Sequence, residues 1–281
     1  MVPQRQRAEA FLELHHKDKI LVLPNAWDVP SARLFESAGF PAVATSSAGL
    51  MVSLGYPDGE SISREEYLSA TRRIAKVLSI PLSADIVAGF GESPEDVGRM
   101  TREVIEAGAI GVNLEDFAHG ENKLVPLEKQ VQKIRAVRKQ GDLLGIPLVI
   151  NARTDALRYA EGDGDAKLSE AIRRAVAFRD MGGADCIYPM GLTERDAIAR
   201  FVKELDFFPV NVMVREGLPT IPELEQLGVR RLSFGPSASY AIFGFLKRVS
   251  KQILESRDYS GLVDGAISFD ELNSLAVPRL K

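Results

Sequence analysis

The sequence has few of the residues used in covalent catalysis or soft-metal binding. In 281 residues there are one cysteine, one tryptophan and three histidines. A single cysteine excludes an internal disulfide bond, and His15, His16 and His119 do not have the spacing of a metal site. Cys186 lies in the strand-like segment Asp-Cys-Ile-Tyr with no histidine near it in sequence, which favours a buried, inert thiol over a nucleophile.

The sequence also lacks long apolar runs and a basic surface. No apolar run approaches the ~20 residues that a membrane span needs, and charged residues between Arg5 and Asp18 interrupt any signal-peptide core. The 35 basic and 39 acidic residues are mixed along the chain and give a net charge of -4, so no basic stripe could track a phosphate backbone. We therefore predict a soluble, cytoplasmic protein that binds neither nucleic acid nor a membrane.

What the sequence does contain is a regular alternation of short apolar runs and longer amphipathic stretches. The eight predicted strands are Ile20–Pro24, Pro41–Ser46, Pro81–Asp85, Gly111–Glu115, Pro147–Asn151, Asp185–Pro189, Phe208–Met213 and Arg230–Phe234. Eight strand–helix units predict an α/β fold, a parallel (β/α)8 TIM barrel. Because barrels of this size are single domains, we assign residues 1–281 to one domain.

The amphipathic stretches have apolar residues at three- and four-residue spacing, which is typical of helices that pack on a sheet. The predicted helices between the strands include Arg64–Leu78, Pro94–Ala107, Leu127–Arg138, Leu168–Met181 and Glu194–Leu205. Gly39, Gly108, Gly183 and Gly228 each mark a predicted helix end, where a left-handed residue turns the chain into the next strand.

Two segments lie outside the eight units. Residues 3–17 form a short amphipathic helix before the first strand, and a helical extension covers about 237–281. The extension is rich in apolar residues, and a barrel has room there for only one closing helix. Part of its surface is therefore predicted to lie across the barrel or to pack on another subunit.

Ionisable side chains close three of the predicted strands. Asp85, Glu115 and Arg153 follow apolar residues at positions where burial is costly unless a metal or ligand meets the side chain. Asp85, Glu115 and Asp58 are the predicted metal ligands, and carboxylates without a histidine or cysteine companion suit Mg²⁺ or Mn²⁺. Asp58 lies in Tyr-Pro-Asp-Gly, a turn signature, so a purely structural turn is the alternative for that residue.

Arg153 lies between Asn151 and Asp155 at the end of the fifth strand. A guanidinium group there could bind a carboxylate at two points or neutralise an oxyanion that forms during a reaction. The alternative is a salt bridge to Asp155 at the rim of the barrel.

The loop from Phe117 to Val125 is predicted to lie over the mouth of the barrel, because it follows the fourth strand. It is a candidate lid that excludes water. His119 and Lys123 are its only side chains able to protonate a carbanion near neutral pH, Lys123 only if burial lowers its pKa. A solvated connecting loop is the alternative.

Seven short motifs occur in order between about residues 20 and 250. They are Thr45–Ala48, Gly55–Gly59, Ala84–Gly91, Leu114–Asp116, Asn151–Asp155, Gly183–Asp185 and Val229–Ser233. As a set, these motifs resemble the isocitrate lyase/phosphoenolpyruvate mutase superfamily, although no single one would suffice. The resemblance implies a barrel that stabilises a metal-bound 2-oxo carboxylate or enolate while a C–C or P–C bond breaks.

The resemblance also implies roles for the acidic and basic residues at the rim. Asp85 corresponds to the direct Mg²⁺ ligand, and Glu115 and Asp58 hold the waters of the metal. Arg153 faces the developing anion, a role that its charge supports independently.

The remaining implied roles concern substrate binding and assembly. Ser46 and the backbone of Ser47 and Ala48 correspond to residues that bind the substrate carboxylate and oxo oxygens, while Asn211 and Trp27 are weaker candidates for the far end of the pocket. Helix exchange between subunits of the superfamily would account for the apolar extension, and implies a helix-swapped dimer or a homotetramer.

The sequence departs from the superfamily pattern at three places. Val87 stands where a second acid is usual, and Met190 stands where a glutamate or histidine contacts substrate. The segment Phe-Ala-His-Gly-Glu-Asn-Lys after Asp116 lacks the loop whose cysteine is the acid–base group of isocitrate lyases. An authentic isocitrate or methylisocitrate lyase is therefore not expected.

We expect a Mg²⁺-dependent lyase or hydrolase that cleaves a C–C bond of a small 2-oxo or 2-hydroxy carboxylate through an enolate, for example by decarboxylation of the oxaloacetate type. Decarboxylation requires the fewest catalytic side chains, because it needs no dedicated cysteine. P–C chemistry of the phosphoenolpyruvate mutase or phosphonopyruvate hydrolase type is the first alternative. The alternative of another class is a catalytically weakened protein that binds 2-oxo acids.

Overall fold

The computed structural model describes residues 3–276. Its strands, numbered in chain order, are β1 Leu21–Leu23, β2 Asn25–Ala26, β3 Val43–Thr45, β4 Leu82–Asp85, β5 Gly111–Glu115, β6 Phe117–Ala118, β7 Lys123–Leu124, β8 Val149–Thr154, β9 Cys186–Pro189, β10 Asn211–Met213 and β11 Arg231–Ser233.

All strands except the short β6–β7 pair form a ring. β1 and β2 are one strand interrupted at Pro24, and parallel pairing runs from it through β3, β4, β5, β8 and β9 on one side and through β11 to β10 on the other. A parallel bridge between Ile187 and Val210 joins β9 to the start of β10. The predicted (β/α)8 fold is thereby confirmed, and each predicted strand overlaps an observed one, although β8 continues to Thr154, beyond the predicted end at Asn151.

Helices follow the strands on the outside of the ring. They are α1 Gln4–Leu14, α2 Val29–Ser37, α3 Ser47–Ser53, α4 Arg64–Val77, α5 Pro94–Glu106, α6 Leu127–Leu143, α7 Ala156–Tyr159, α8 Gly164–Ala177 with a π-helical turn at Phe178–Gly182, α9 Arg195–Glu204, α10 Ile221–Gln226, α11 Ser237–Ser256, α12 Ser260–Val263 and α13 Phe269–Ala276. The four predicted glycine helix ends all have left-handed backbones, from Gly183 at φ +79° to Gly108 at φ +109°.

Helix α1 closes the amino-terminal end of the barrel. Phe11 is fully buried in a cluster with Leu21, Ala42 and Val149, which lie at or just before the first residues of β1, β3 and β8. A Cβ atom at Gly111 would lie 2.8 Å from the Phe11 ring, so the glycine leaves the space that this ring occupies. The opposite end of the barrel stays open.

The predicted C-terminal extension begins at α11 and leaves much of its apolar surface uncovered. α13 packs on α2, whereas α11 has only Ser239 and Val249 buried. Its exposed apolar side chains are Tyr240, Ile242, Phe243, Phe245, Leu246 and Leu254. Residues 277–281 of the predicted extension lie outside the described residues.

Helix length and polarity bear on membrane insertion. Among residues 3–276, no helix is both long and apolar enough to span a bilayer. The cytoplasmic location stays a prediction.

Candidate active site

Polar side chains alternate along three neighbouring strands and point into the barrel. Ser83 and Asp85 lie two residues apart on β4, as Asn113 and Glu115 do on β5, which places each pair on one face of its strand. The register sets Asp85 opposite Asn113, and Asn113 opposite Asn151 of β8. The strands therefore bring these polar groups to one level of the barrel.

A hydrogen-bond chain across this level orients Asp85. The amide of Asn151 donates to Asn113 at 2.8 Å, and the amide of Asn113 donates to Oδ1 of Asp85 at 2.8 Å. The backbone N–H of Ser47 donates to Oδ2 of Asp85 at 3.1 Å, and Thr45 Oγ1 accepts from the Asp85 backbone at 2.8 Å. Each carboxylate oxygen keeps a lone pair for a ligand in the barrel mouth.

A cavity of about 450 Å³ opens at the carboxyl ends of the strands. The predicted site residues that line it are Ser46, Ser47, Ala48, Asp58, Asp85, Arg153 and Asn211. Ser46 caps α3, its hydroxyl accepting from the backbone of Gly49 at 3.2 Å, so the first turn of this helix begins at the cavity. Residues far apart in sequence thus share one chamber.

Asp58 is both a turn residue and a cavity residue. Its Oδ1 accepts the backbone N–H of Gly59 at 3.0 Å, and Gly59 has φ +111°, as the turn interpretation requires. Burial, and then the neighbouring Asp85 carboxylate, raise the pKa of Asp58. The two carboxylates therefore repel each other across the cavity, an arrangement that a bound cation would relieve.

Glu115 and Arg153 are cross-strand partners on β5 and β8. Nη1 of Arg153 lies 2.7 Å from Oε2 of Glu115, while Nε and Nη2 bind Asp155 at 2.7 and 2.9 Å. The rim salt bridge considered from the sequence is therefore present, and the two acids raise the pKa of Arg153 against the effect of burial. Three of the five N–H groups of Arg153 are used, which leaves two for a ligand.

His119 is linked to the same network. Its Nε2 lies 2.5 Å from Oε1 of Glu115, and this hydrogen bond is the main reason that its pKa is raised. The pKa of Glu115 is raised by burial, which Arg153 opposes. Both oxygens of Glu115 are therefore occupied by protein groups rather than facing the cavity.

The other residues of the predicted lid lie in a hairpin. β6 and β7 pair in antiparallel fashion, and Lys123 on β7 is about 61% exposed and pairs with Glu121. The structure does not bring His119, Lys123 or Trp27 to the lining of the central cavity: His119 and Lys123 line a neighbouring pocket that shares Asp58 with it. Trp27 lies in a separate surface cleft beside α2 and α4.

The lower part of the cavity contains buried polar side chains, of which only Asn211 was a predicted site residue. Within the described part of the chain, four buried polar atoms there have no protein hydrogen-bond partner: Ser83 Oγ, Asn151 Oδ1, Asn211 Oδ1 and Arg231 Nε. Arg231 is 2% exposed, has no carboxylate partner among the described residues, and its pKa is lowered by burial. The sequence did contain a signal for such residues, because side chains two positions apart on a strand point to the same face. Arg231 and Ser233 of β11 have this spacing, as do Asn113 and Glu115 of β5.

The carboxylates of the cavity are compatible with a hydrated divalent cation. Among residues 3–276, no three His, Cys, Asp or Glu side chains are close enough to enclose a metal ion. A hard cation that keeps several waters needs only one or two carboxylates, and Asp85 and Asp58 meet this requirement. The residues therefore fit Mg²⁺ or Mn²⁺. Glu115 would influence the cation only indirectly, through Arg153, His119 or a water molecule.

Two of the positions that depart from the superfamily pattern differ in environment. Val87 is buried in the apolar core, and its backbone is left-handed at φ +53°, which is uncommon for a β-branched residue. Met190 lines the cavity, and its sulfur accepts a hydrogen bond from the hydroxyl of Tyr188 at 2.9 Å. Apolar surface therefore replaces an ionisable group in the cavity wall.

The chain matches the family model described as phosphoenolpyruvate phosphomutase over residues 11–254. This match covers most of the chain and includes both carboxylates of the cavity. The chain belongs to the isocitrate lyase/phosphoenolpyruvate mutase superfamily.

Individual relatives agree with this assignment. A 2-methylisocitrate lyase of Aeropyrum pernix is 30% identical over 90% of this chain and 81% of its own length. The structure of a lyase or mutase of Burkholderia cenocepacia, so described, has a TM-score of 0.88 at 33% identity and covers 96% and 95% of the two chains. Oxaloacetate acetylhydrolase in complex with oxalate has a TM-score of 0.85 at 25% identity and covers 98% and 94%. The chain is accordingly a carbon–carbon lyase of this superfamily.

Proposed function

We propose that the enzyme uses Mg²⁺, or Mn²⁺, to cleave a C–C bond of a small 2-oxo or 2-hydroxy carboxylate through an enolate. The observation that carries the proposal is the pair of carboxylates, Asp85 and Asp58, that share a cavity with the guanidinium of Arg153. A cation site facing a fixed positive charge suits a substrate that gains negative charge as a bond breaks.

Asp85 and Asp58 are the residues that would hold the cation. When bound, the cation acts as a Lewis acid toward the oxygens of the substrate. Asn113 and the backbone of Ser47 fix the Asp85 carboxylate, so its direction is set before a ligand arrives. This preorganisation keeps the reorganisation cost of binding low.

Arg153 stabilises the developing anion with its two remaining N–H groups. Asp155 and Glu115 hold its side chain on two sides, so the guanidinium does not turn away when the cavity is empty. Its position beside Tyr188, with the guanidinium carbon 5.8 Å from the ring centre, adds a further restraint.

His119 is the proposed source of the proton that quenches the enolate. Its raised pKa keeps a larger share of the ring protonated near neutral pH, and the hydrogen bond to Glu115 holds it beside the network of Arg153. Lys123 is not retained in this role, because it is exposed and paired with Glu121. Both assignments are tested below.

The experiment is turnover of a panel of 2-oxo and 2-hydroxy acids, with Mg²⁺ and with EDTA. We expect cleavage of at least one acid that stops with EDTA and returns with added Mg²⁺. Release of CO2 or acetate would identify C–C cleavage, whereas release of phosphate from phosphonopyruvate would favour P–C chemistry. Tight binding of 2-oxo acids without turnover would show a binding protein instead and contradict the proposal.

We also propose that a second copy of this chain covers the apolar face of α11, giving a helix-swapped dimer or a homotetramer made of two such dimers. Six large apolar side chains of this helix are exposed, and apolar surface of this kind marks a protein–protein contact. Light scattering should give a dimer or tetramer for the parent and a smaller species for Phe243→Asp. A monomeric parent at micromolar concentration would contradict this assembly.

A further inference from the structure

Two arginines at the mouth of the cavity have no role in the site described above. Arg158 on α7 follows β8, Arg215 follows β10, and both side chains line the cavity. Gly191, after β9, lies between them: a Cβ atom on it would be 3.5 Å from Nη1 of Arg215 and 3.8 Å from Cγ of Arg158. Three successive strands of the ring thus bring two arginines to one side of the mouth.

Neither arginine is neutralised by a close carboxylate. Within residues 3–276, the side chain of Arg215 makes no ion pair and no hydrogen bond. The Nη1 atom of Arg158 is 3.9 Å from Oδ1 of Asp155, and that carboxylate is already bound at two points by Arg153. Both arginines therefore keep donors for an anion in the cavity.

The balance of charge in the cavity also favours an anion. Its lining contains four arginines, Arg153, Arg158, Arg215 and Arg231, and only two acids, Asp58 and Asp85. Because Arg153 is already paired with Glu115 and Asp155, a divalent cation on Asp58 and Asp85 would leave Arg158, Arg215 and Arg231 without an acid of the lining to balance them. One carboxylate of a substrate would bind to the cation and Arg153. The positive charge at the mouth would then attract a second carboxylate.

The wall that leads to the two arginines is apolar. Met190 directly precedes Gly191, and Met213 and Val214 directly precede Arg215, and all three line the cavity. A substrate lying along this wall presents carbon to it, because polar groups there would lose hydrogen bonds to water without replacing them. The cavity is thus polar at one end, apolar along part of its wall, and cationic at the mouth.

We propose that Arg158 and Arg215 form a subsite for a second, distal carboxylate and determine specificity for dicarboxylates over monocarboxylates of the same length. The distal carboxylate accepts hydrogen bonds from the two guanidinium groups, and the carbon chain lies along Met190 and Met213. The inference rests on the proposed function, because it assumes that the first carboxylate binds beside Asp85. Guanidinium–carboxylate contacts give both charge and geometry to such discrimination.

The test uses two acids with the same five-carbon skeleton, 2-oxoglutarate and 2-oxopentanoate, which differ in a terminal carboxylate or methyl group. Their dissociation constants are measured by calorimetry with Mg²⁺ for the parent, Arg158→Gln, Arg215→Gln and the double variant. Arg195→Gln is the matched control, since it removes one exposed charge that does not line the cavity. All four arginine variants change exposed side chains, so the fold should tolerate them.

We expect the parent to prefer the dicarboxylate by about 100-fold, because each of the two guanidinium–carboxylate contacts contributes roughly 10-fold. Each single variant should reduce the preference, the double variant should abolish it, and Arg195→Gln should retain it. The affinity for 2-oxopentanoate should stay the same throughout. A preference that survives in the double variant overturns the inference.

The outcome for the parent separates this inference from the proposed function. Equal affinity for the two acids would overturn the distal subsite and leave the proposed function standing. Binding of neither acid, with Mg²⁺ present, would count against both.

Discussion

The amino-terminal and carboxyl-terminal ends of the barrel interior are built from different kinds of residues. At the amino-terminal end, Phe11 and Val149 pack in an apolar cluster, and the ring of His15 is fully buried beside Arg231, with Nε2 3.5 Å from Nη1. Burial, and then the charge of Arg231, lower the pKa of His15 to about 3. The neutral form of His15 is therefore favoured at this end.

At the carboxyl-terminal end, buried groups of both signs stay together. Glu115, Arg153 and Asp155 form one ion-paired network, and Asp85 and Asp58 face the cavity nearby. Burial of opposed charges is tolerated when each has partners and a ligand completes the set. The comparison teaches that one end supplies stability and the other chemistry, so substitutions at the two ends should have separable effects.

The largest expected effect is at the open end. Asp85→Ala should lower Mg²⁺-dependent turnover by about 10³-fold or more, because it removes the proposed direct ligand and with it several kcal/mol of charge stabilisation. Turnover is measured across a Mg²⁺ titration. Asp18→Ala, an exposed acid at the other end of the barrel, should behave like the parent. An unchanged titration in folded Asp85→Ala would remove this residue from the metal site.

The next effect is at the closed end. Phe11→Ala should lower the free energy of unfolding by about 3–5 kcal/mol, because it leaves a cavity between α1 and the strands. Urea unfolding measures the loss, and turnover per folded molecule should stay within about twofold of the parent. Leu143→Ala, at 68% exposure, is the surface control. Lost turnover with unchanged stability would contradict the division between the two ends.

The third effect separates two residues of the hairpin. His119→Ala should lower turnover by roughly 10²-fold, as expected for loss of a general acid, while Lys123→Ala should change it less than about twofold. Binding of the inert analogue oxalate should be similar in both variants. Equal turnover in the two variants would rule out His119 as the proton donor.

The smallest effect concerns pH at the closed end. His15 has a folded-state pKa of about 3, below its ordinary 6.5, so its contribution to stability is present above pH 6.5 and is lost as the pH falls toward 3. Between pH 7.5 and 5 this loss is about 2 kcal/mol. Urea unfolding at both pH values should show a smaller drop for His15→Gln than for the parent. Identical drops would mean that His15 is not buried as a neutral ring.

Much of this architecture was predictable because it depends on local patterns. The eight apolar runs, the glycines that end helices, and the acids at the ends of strands β4 and β5 follow from periodicity and backbone preference. The buried thiol of Cys186 is confirmed, and burial raises its pKa to about 12. The position of Asp58 in a turn was also predicted, although its approach to Asp85 was not a local property.

Pairings between distant segments were not predictable from the residues involved. Lys123 and His119 are four residues apart in one loop, yet the hairpin directs one to solvent and the other to Glu115. Trp27 directly follows β2, yet it lies in a cleft outside the cavity. Such outcomes depend on side-chain direction and on neighbouring helices rather than on sequence spacing.

The sequence by itself determined the order of strands and helices, the rim positions of Asp85, Glu115 and Arg153, and the resemblance that identifies the superfamily. These depend on short-range periodicity and on residue type. Only the tertiary structure decided that Glu115 is occupied by Arg153 and His119, and that Arg231 is buried in the cavity wall with no carboxylate partner among residues 3–276. It also decided that Arg158 and Arg215 line the same cavity. Ring closure brings together residues dozens of positions apart, and no local pattern encodes such distances.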